Sequence, residues 1–233
     1  MKTDFINNMT HEFKTPIATI SLAADSIMSP MVISSKDKIT RFSNIIKQEN
    51  KRMLSQVEKV LQMALIDKKE FTLKVSDVDM HQVIREAIEN VNLQVQKRGG
   101  QITTDLQAGR PMIQGDATHL SNVIHNLLDN ANKYSPEVPE ISVHTRNVKG
   151  GLEVIVEDKG IGMSKEERKQ IFEKFYRVPT GNLHDVKGFG LGLSYVKAIT
   201  DAHEGKVSVE SEPGKGSSFI LFLPHKLHRQ NAA

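Results

Sequence analysis

A histidine near the N-terminus stands in the polar run His11-Glu-Phe-Lys-Thr15-Pro16. Apolar residues around it recur in steps of three and four, which predicts an amphipathic helix with His11 on the face opposite to the apolar stripe. An accessible imidazole whose tautomer is fixed by Glu12 can act as a nucleophile. Pro16 frees a backbone carbonyl one turn back and favours a local bend. The run therefore indicates either a reactive histidine or a solvated helix face that tolerates a proline.

Three asparagines and a lysine follow at helical spacing, at Asn122, Asn126, Asn130 and Lys133. Apolar residues between them form a stripe on the opposite face, so the four polar side chains share one side of a helix predicted over residues 116–134. Asparagine disfavours helices because its side chain competes for backbone hydrogen bonds. Amide oxygens can ligate Mg²⁺ or hold its waters while phosphate oxygens complete the shell, with Lys133 beside the phosphates. The alternative is a plain solvated face.

Two glycine-containing runs complete the candidate chemistry. In Asp158-Lys-Gly160-Ile-Gly162, which follows a predicted strand, the carboxylate can accept a hydrogen bond from an exocyclic amine while the glycines let the backbone approach a flat ring. The alternative there is a tight turn. The run Gly188-Phe-Gly190-Leu-Gly192-Leu193 opens a predicted helix, whose free N–H groups and dipole favour phosphate. It is neither a Walker A loop, since no Gly-Lys-Ser/Thr follows, nor a Rossmann turn, since a loop precedes it.

The elements that must position these residues change character near residue 70. Up to there the chain has no glycine, and two amphipathic helices are predicted, the second about 30 residues or ~45 Å long. A single helical hairpin covers its apolar stripes only in part, so pairing two hairpins into a four-helix bundle predicts a homodimer. Beyond residue 70, short strands intermix with helices, which favours one layered α/β domain.

The predicted fold class is therefore α + α/β, with a helical hairpin followed by an α/β domain. We expect the helical domain at residues 1–70, an extended linker at 71–78, the α/β domain at 79–228 and a tail at 229–233.

Composition excludes several classes of protein. The 233 residues are 38% apolar and 25% charged, which is typical of a soluble globular protein. The absence of cysteine excludes a disulfide scaffold, a thiolate metal site and a thiol nucleophile. A net charge of +3 is too small to predict nucleic-acid binding. No apolar run approaches the ~18–20 residues that cross a bilayer, and the N-terminus lacks a signal peptide, so we expect a soluble chain.

Together, the order and spacing of the motifs resemble the catalytic core of the sensor histidine kinases of bacterial two-component systems, over residues 3–225. The run at His11 resembles the H-box of that family. The later motifs resemble its N-box, G1, F and G2 boxes, and they are His125–Ser135, Asp158–Met163, Ile171–Arg177 and Gly188–Leu193. The resemblance implies a dimerisation and histidine-phosphotransfer domain followed by an ATP-binding α/β sandwich of the Bergerat type. It also implies autophosphorylation of the histidine, transfer to an aspartate of a response regulator, and ATP and Mg²⁺ as cofactors.

The resemblance assigns roles by position. His11 is the phosphoacceptor, Glu12 is its acid–base partner, and Thr15 positions a water for the phosphatase reaction. Arg177 reaches the γ-phosphate. Asn130 ligates Mg²⁺ with support from Asn126. The remaining nucleotide-binding positions are Lys133, Tyr134, Asp158, Gly160, Gly162, Phe175, Gly188, Gly190, Leu191 and Gly192. One departure is Phe189, where the family often has Thr or Ser, which removes a hydroxyl from the phosphate-binding segment.

The implied partners are a response-regulator receiver domain and a second copy of the chain. A membrane is expected only through a sensor segment absent from this chain, which would hold the core on the cytoplasmic side. One alternative is a Bergerat-type ATPase or ATP-gated module without histidine phosphorylation, which the outward-facing His11 argues against. Another is a dimeric scaffold that has lost nucleotide, which the intact Asn130 and Asp158 argue against.

Overall fold

The computed structural model describes residues 2–67, 72–178 and 189–228. Contacts between residues divide the chain into two compact units. The first unit comprises Met1–Glu70 with Lys187–Leu191, and the second comprises Phe71–Val186 with Gly192–Ala233.

The first unit is a helical hairpin. Helix α1 spans Lys2–Ile27, a single-turn helix α2 spans Pro30–Ile33, and α3 spans Lys36–Asp67. The two long helices pack against each other along the hairpin, as the two amphipathic patterns predict. Helix α1 continues through Pro16. The short helix α2 begins with proline at its first position, where the missing N–H costs nothing.

Several large apolar side chains of the hairpin stay in contact with solvent. Leu22 is 69% exposed, Leu54 59% and Leu61 58%. The other large exposed apolar residues described in this unit are Ile17, Met28, Met31, Ile33 and Val57. One hairpin therefore leaves much of its own apolar surface uncovered, as expected for two helices without a third layer.

The second unit is an α/β sandwich. Its elements are β1 (Ser76–Asp79), α4 (Met80–Lys97), β2 (Gln101–Leu106), β3 (Met112–Gly115), α5 (Ala117–Lys133), β4 (Glu140–Val148), β5 (Gly151–Asp158), α6 (Lys165–Gln170), α7 (Gly192–Ala202), β6 (Lys206–Glu212) and β7 (Gly216–Pro224). Five strands form one sheet in the order β2-β4-β5-β7-β6, in which only the β2–β4 pair is parallel. Helix α5 contacts both α4 and α7, and all three helices contact the sheet. The α + α/β fold class is therefore confirmed.

Local signals in the sequence account for most of these boundaries. Asp79 caps α4 by accepting hydrogen bonds from the backbone N–H groups of His81 and Gln82, as the sequence predicts. Ser164 and Glu167 form the predicted capping box of α6. The predicted linker differs, because part of it forms β1 and pairs antiparallel with β3 in a small second sheet.

The core lies between the helical layer and the sheet. The predicted apolar stripe of α5, which includes Leu120, Ile124 and Leu128, is fully buried. It faces the inner side of the sheet, where alternate residues of the central strand β5 are buried, among them Leu152 and Val154. This packing leaves the opposite side of α5 outside the core. That side carries Asn122, Asn126 and Asn130, which together are called the asparagine ladder.

A buried histidine joins the start of α5 to the end of α7. His203 is 1% exposed, and its Nδ1 donates to the carbonyl oxygen of Ile199 at 2.8 Å. Its Nε2 accepts a hydrogen bond from the backbone N–H of Asp116, the N-cap residue of α5, at 3.0 Å. Because Nε2 accepts this hydrogen bond, the imidazole is neutral and carries its proton on Nδ1, and burial lowers the pKa of His203 accordingly. The ring thus fixes where α5 begins.

We expect His203→Ala to destabilise the second unit by roughly 2–4 kcal/mol, because it removes a buried ring and leaves the backbone N–H of Asp116 without its partner. Because the folded pKa is lowered, the wild-type unit loses stability as pH falls below ~6.5, where the unfolded histidine binds a proton. The difference between wild type and His203→Ala should therefore shrink in acid. All three tyrosines lie in this unit, so urea unfolding followed by tyrosine fluorescence measures it.

The matched control is His228→Ala, whose imidazole is 86% exposed. This variant should keep both the wild-type stability and its acid dependence. Equal stability of His203→Ala and wild type at pH 7.5 would contradict the structural role of the buried ring.

Candidate functional site

A cavity in the second unit brings together residues that are far apart in the sequence. It opens between α5, the loop after β5, the segment after α6, α7 and β7. Its lining residues are Asn130, Tyr134, Asp158, Ile161, Gly162, Met163, Ile171, Tyr176, Arg177, Val178, Leu193, Ser217 and Phe219. Five residues singled out from the sequence are among them: Asn130, Tyr134, Asp158, Gly162 and Arg177.

Asp158 is the buried carboxylate of this cavity. It ends β5 and is 9% exposed. Burial raises the pKa of Asp158 from 3.8 to about 6, although hydrogen bonds from the backbone N–H groups of Gly160 and Ser217 act in the opposite direction. The Gly160 N–H lies 2.8 Å from Oδ1. Above pH 6 the side chain is therefore a hydrogen-bond acceptor in a largely apolar wall, suited to a ligand amine.

Two glycines let the loop after β5 close against the β6–β7 hairpin. Gly162 has φ 64°, and a Cβ there would lie 1.9 Å from the carbonyl oxygen of Glu212. Gly216 has φ 90°, and a Cβ would lie 1.9 Å from the carbonyl oxygen of Asp158. No side chain fits either position. The backbone of Ser217 thereby reaches the carboxylate and forms one wall of the cavity.

Two residues of the asparagine ladder have different surroundings, one at the cavity and one at the start of α7. Asn130 lines the cavity. Asn126 lies one turn earlier, and its Nδ2 donates to the carbonyl oxygen of Asn122 at 2.8 Å. Its Oδ1 faces the start of α7, where a Cβ on Gly192 would come within 3.1 Å. The third glycine of its run thus leaves room for Asn126 beside the first turn of α7.

The charged groups near the cavity are partly paired. Lys133 forms an ion pair with Asp129, with Nζ 2.5 Å from Oδ2. Burial raises the pKa of Tyr134, and the nearby positive charge of Arg177 partly offsets that effect. Tyr134 is therefore a neutral phenol with a cation close to its hydroxyl.

Other residues singled out from the sequence lie outside the cavity lining. Thr15 is exposed on α1, and its carbonyl oxygen accepts a hydrogen bond from the hydroxyl of Thr19. Phe175 has a left-handed backbone, with φ 66°, and its chain neighbours Tyr176 and Arg177 line the cavity instead.

The predicted phosphate-binding glycine run is only partly described. Gly190 has φ 69°, and Leu191 is buried. The ring of Phe189 lies 5.6 Å from that of Phe13, within the first unit. Gly188 lies outside the described residues, and so do the side chains of His11 and Glu12, although α1 runs through both positions.

Sequence reasoning missed the apolar and hairpin residues of the cavity. Met163, Ile171 and Leu193 stand at the ends of the recognised motifs, and any of them could equally belong to a core. Ser217 and Phe219 follow the Pro-Gly-Lys-Gly turn, which the sequence identifies only as a hairpin. Met163, Leu193 and Ser217 each directly follow a glycine of the site, and that position is the signal that could have found them.

Neither a cluster of metal-ligating side chains nor a membrane-spanning helix occurs in the part of the chain that the structure describes. No group of three or more His, Cys, Asp or Glu side chains that could hold a metal ion occurs there. None of the helices described is both long and apolar enough to cross a bilayer.

Comparisons with known proteins match both units. Residues 1–69 match the His Kinase A (phospho-acceptor) domain, and residues 115–227 match the histidine kinase-, DNA gyrase B- and HSP90-like ATPase. The sensor protein RprX of Bacteroides fragilis is 50% identical over 226 residues, which are 96% of this chain and 44% of RprX. The chain spans about half the length of the relatives that it matches.

Solved structures share the fold. Full-length ShkA in complex with AMPPNP is similar with a TM-score of 0.71 and 24% identity, over 94% of this chain and 45% of ShkA. The histidine kinase ThkA in complex with the response regulator TrrA is similar with a TM-score of 0.67 and 22% identity, over 95% of this chain and 61% of that one. With a phospho-acceptor domain followed by a kinase-type ATPase domain, the chain belongs to the two-component sensor histidine kinases and comprises their catalytic core.

Proposed function

We propose that this chain binds Mg²⁺ and ATP in the cavity of the second unit, transfers the γ-phosphoryl group to His11, and passes it to an aspartate of a response-regulator receiver domain. The observation that carries the proposal is the buried carboxylate of Asp158 in a cavity that Asn130 also lines. The AMPPNP of the ShkA complex and the response regulator bound to ThkA support the same assignment by likeness.

The adenine end of the cavity would be the wall around Asp158. A carboxylate there accepts a hydrogen bond from the exocyclic amine, which a 6-keto purine lacks. Met163, Ile171 and Phe219 offer apolar surface to the faces of the ring. Burial disfavours the ionised form of Asp158 in the free protein, because it removes the carboxylate from water. This cost raises the pKa of Asp158 to about 6. The hydrogen bond from the ligand would offset part of that cost.

The phosphate end would lie toward Asn130, Arg177 and the start of α7. Asn130 presents a neutral oxygen ligand of the kind that Mg²⁺ accepts, so the triphosphate supplies the negative charge. Asn126 beside Gly192 supports that turn. Bound Mg²⁺ would neutralise charge on the phosphates, and Arg177 and the N–H groups at the start of α7 would add positive potential.

The transfer needs little covalent chemistry from the protein beyond His11. A ring nitrogen of His11 would form a bond to the γ-phosphorus while the bond to the β–γ bridging oxygen breaks and ADP leaves. Glu12 would accept the proton from the other ring nitrogen. The phosphoramidate would then pass its phosphoryl group to an aspartate carboxylate of the receiver. Thr15, one turn along α1, would position a water for the phosphatase reaction, in which the phosphorylated regulator is hydrolysed.

We further propose that the chain is a homodimer and that the full-length protein holds this core on the cytoplasmic side of a membrane. The uncovered leucines of the hairpin support the dimer, because a second hairpin would remove them from water. The name of RprX as a sensor protein supports attachment to a sensor segment.

Asp158→Asn should weaken ATP binding by roughly 10- to 100-fold, because a charged acceptor is lost. Wild-type affinity should also fall as pH drops below about 6, where Asp158 becomes protonated. That part of the pH dependence should disappear in the variant. Isothermal titration calorimetry between pH 5.5 and 8 in the presence of Mg²⁺ measures both effects.

Two observations separate loss of binding from loss of folding. Asp158→Asn should resist urea at least as well as wild type at pH 7.5, because a buried charge has been removed. The matched control is Glu157→Gln, one residue earlier, whose side chain is 48% exposed. It should bind ATP normally, and wild-type affinity in Asp158→Asn would refute the adenine assignment.

Incubation with Mg²⁺ and ATP labelled at the γ-phosphate should leave an acid-labile, base-stable label on the protein, as a phosphoramidate requires. His11→Ala should abolish the label and keep ATP affinity, whereas Glu12→Ala should slow labelling by ~10²–10⁴-fold. The control is again His228→Ala, which should label normally. A label that survives in His11→Ala excludes this phosphoacceptor, and ATP turnover without label would favour the simple ATPase.

Sedimentation of the chain should give twice its 26.1 kDa mass. Leu54→Glu combined with Leu61→Glu should shift it to monomer, because two carboxylates would be buried in the bundle. Leu93→Glu is the matched control, since this leucine is 61% exposed on α4 in the other unit. Dimers that persist in the double variant would contradict pairing through this face.

A further inference from the structure

We propose that Arg98, which does not line the cavity, is a positioning residue for the nucleotide site. Its guanidinium holds the last turn of α5 in the geometry that presents Asn130 and Tyr134 to the ligand. This proposal rests on the proposed function of the cavity.

The backbone around Arg98 is fixed on both sides. Arg98 ends α4, and the N–H of Gly100 donates back to the carbonyl oxygen of Val95 at 3.0 Å. Gly99 has φ 75°, the left-handed conformation that commonly ends a helix. A Cβ on Gly100 would lie 2.4 Å from the carbonyl oxygen of Pro139, so the turn is pressed against the start of β4. The guanidinium thus extends from a rigid base.

The guanidinium contacts four acceptors at the end of α5. Nη1 donates to the carbonyl oxygen of Asn132 and, at 3.0 Å, to its side-chain Oδ1. Nη2 donates to the carbonyl oxygens of Ser135 at 2.5 Å and Glu137 at 3.0 Å. The last carbonyls of a helix lack N–H partners, and Arg98 satisfies that of Asn132 while its positive charge opposes the negative end of the helix dipole. The same planar cation also binds the two carbonyls of the segment that follows α5.

The turn held by Arg98 is also a wall of the cavity. The N–H of Tyr134 donates to the carbonyl oxygen of Asn130 at 2.9 Å, and the carbonyl oxygen of Tyr134 accepts from the N–H of Ile161 at 3.0 Å. Arg98 and the loop after β5 therefore hydrogen-bond to the same turn. Arg98 binds the carbonyls of Asn132 and Ser135, and the loop binds that of Tyr134. A shift of Asn132 or Ser135 would move both Asn130 and Tyr134.

The sequence of this turn explains why it needs such support. It contains Asp129, Asn130 and Asn132, all of which favour local hydrogen bonds over helix. A last turn of this composition frays readily unless its carbonyls are capped. Without Arg98 the binding-competent geometry would be only fractionally populated, so the apparent dissociation constant would rise by the inverse of that fraction. The rate at saturating ATP would change little, because the bound state is the same.

The test compares Arg98→Ala, Arg98→Lys and the control Arg85→Ala, which removes an exposed arginine from the same helix. We expect Arg98→Ala to raise the dissociation constant for ATP with Mg²⁺, and the KM for autophosphorylation, by about tenfold or more. The maximal labelling rate should stay within about twofold of wild type, since ordering rather than chemistry is impaired. Arg98→Lys should be intermediate, and ethylguanidinium should partly restore Arg98→Ala. Arg85→Ala should bind normally.

The outcomes separate this proposal from the proposed function. If wild type binds ATP and Asn130→Ala weakens binding, but folded Arg98→Ala binds like wild type, the positioning role is refuted and the cavity assignment stands. A loss of affinity that only tracks the unfolded fraction, without rescue by ethylguanidinium, also refutes it. If Arg98→Ala does not fold, the affinity of Arg98→Lys decides in the same way. Wild type that binds no ATP overturns both proposals.

Discussion

The carboxylate of Asp158 is the group on which the second unit is organised. A negative charge with 9% exposure is tolerated only with donors close by, and two backbone N–H groups supply them. Bringing the Ser217 backbone that close requires Gly162 and Gly216 to have no side chains. The loop after β5 and the β6–β7 hairpin are thus built around one carboxylate. The burial that makes it costly also removes water as a competitor for the hydrogen bond from a ligand amine.

Helix α5 combines two opposing demands. Its apolar side anchors the core, with Leu120, Ile124 and Leu128 fully buried, while its other side carries asparagines that weaken a helix. Contacts at the two ends of α5, rather than in its middle, offset the low helix propensity of these asparagines. Asp116, held by His203, caps the N-terminus, and the guanidinium of Arg98 binds the carbonyl of Asn132 in the last turn and the segment that follows it. Polar residues needed by a ligand can therefore occupy a helix that their own propensities would not sustain.

The sequence was informative where the physics is local. The stripes of the long helices, the capping box at Ser164 and the spacing of Asn126 and Asn130 depend on neighbours within one or two turns. The pairing of β1 with β3 was missed because a four-residue strand has no recognisable period and its partner lies more than thirty residues away. Arg98 was missed for a similar reason, since a basic residue at a helix end resembles any solvated cation. The roles of the individual site residues stay predictions.

Charge placement explains why neutral amides, rather than carboxylates, suit the end of the cavity where we propose that the phosphates bind. A triphosphate brings several negative charges, so an aspartate in place of Asn130 would add repulsion before any cation arrived. Asp129, next to Asn130 on α5, is paired with Lys133 at 2.5 Å, which leaves that helical turn without net charge. Arg177 then adds positive charge beside Tyr134. Ligand and Mg²⁺ together would complete the electrostatic balance, so neither alone should bind as tightly as the pair.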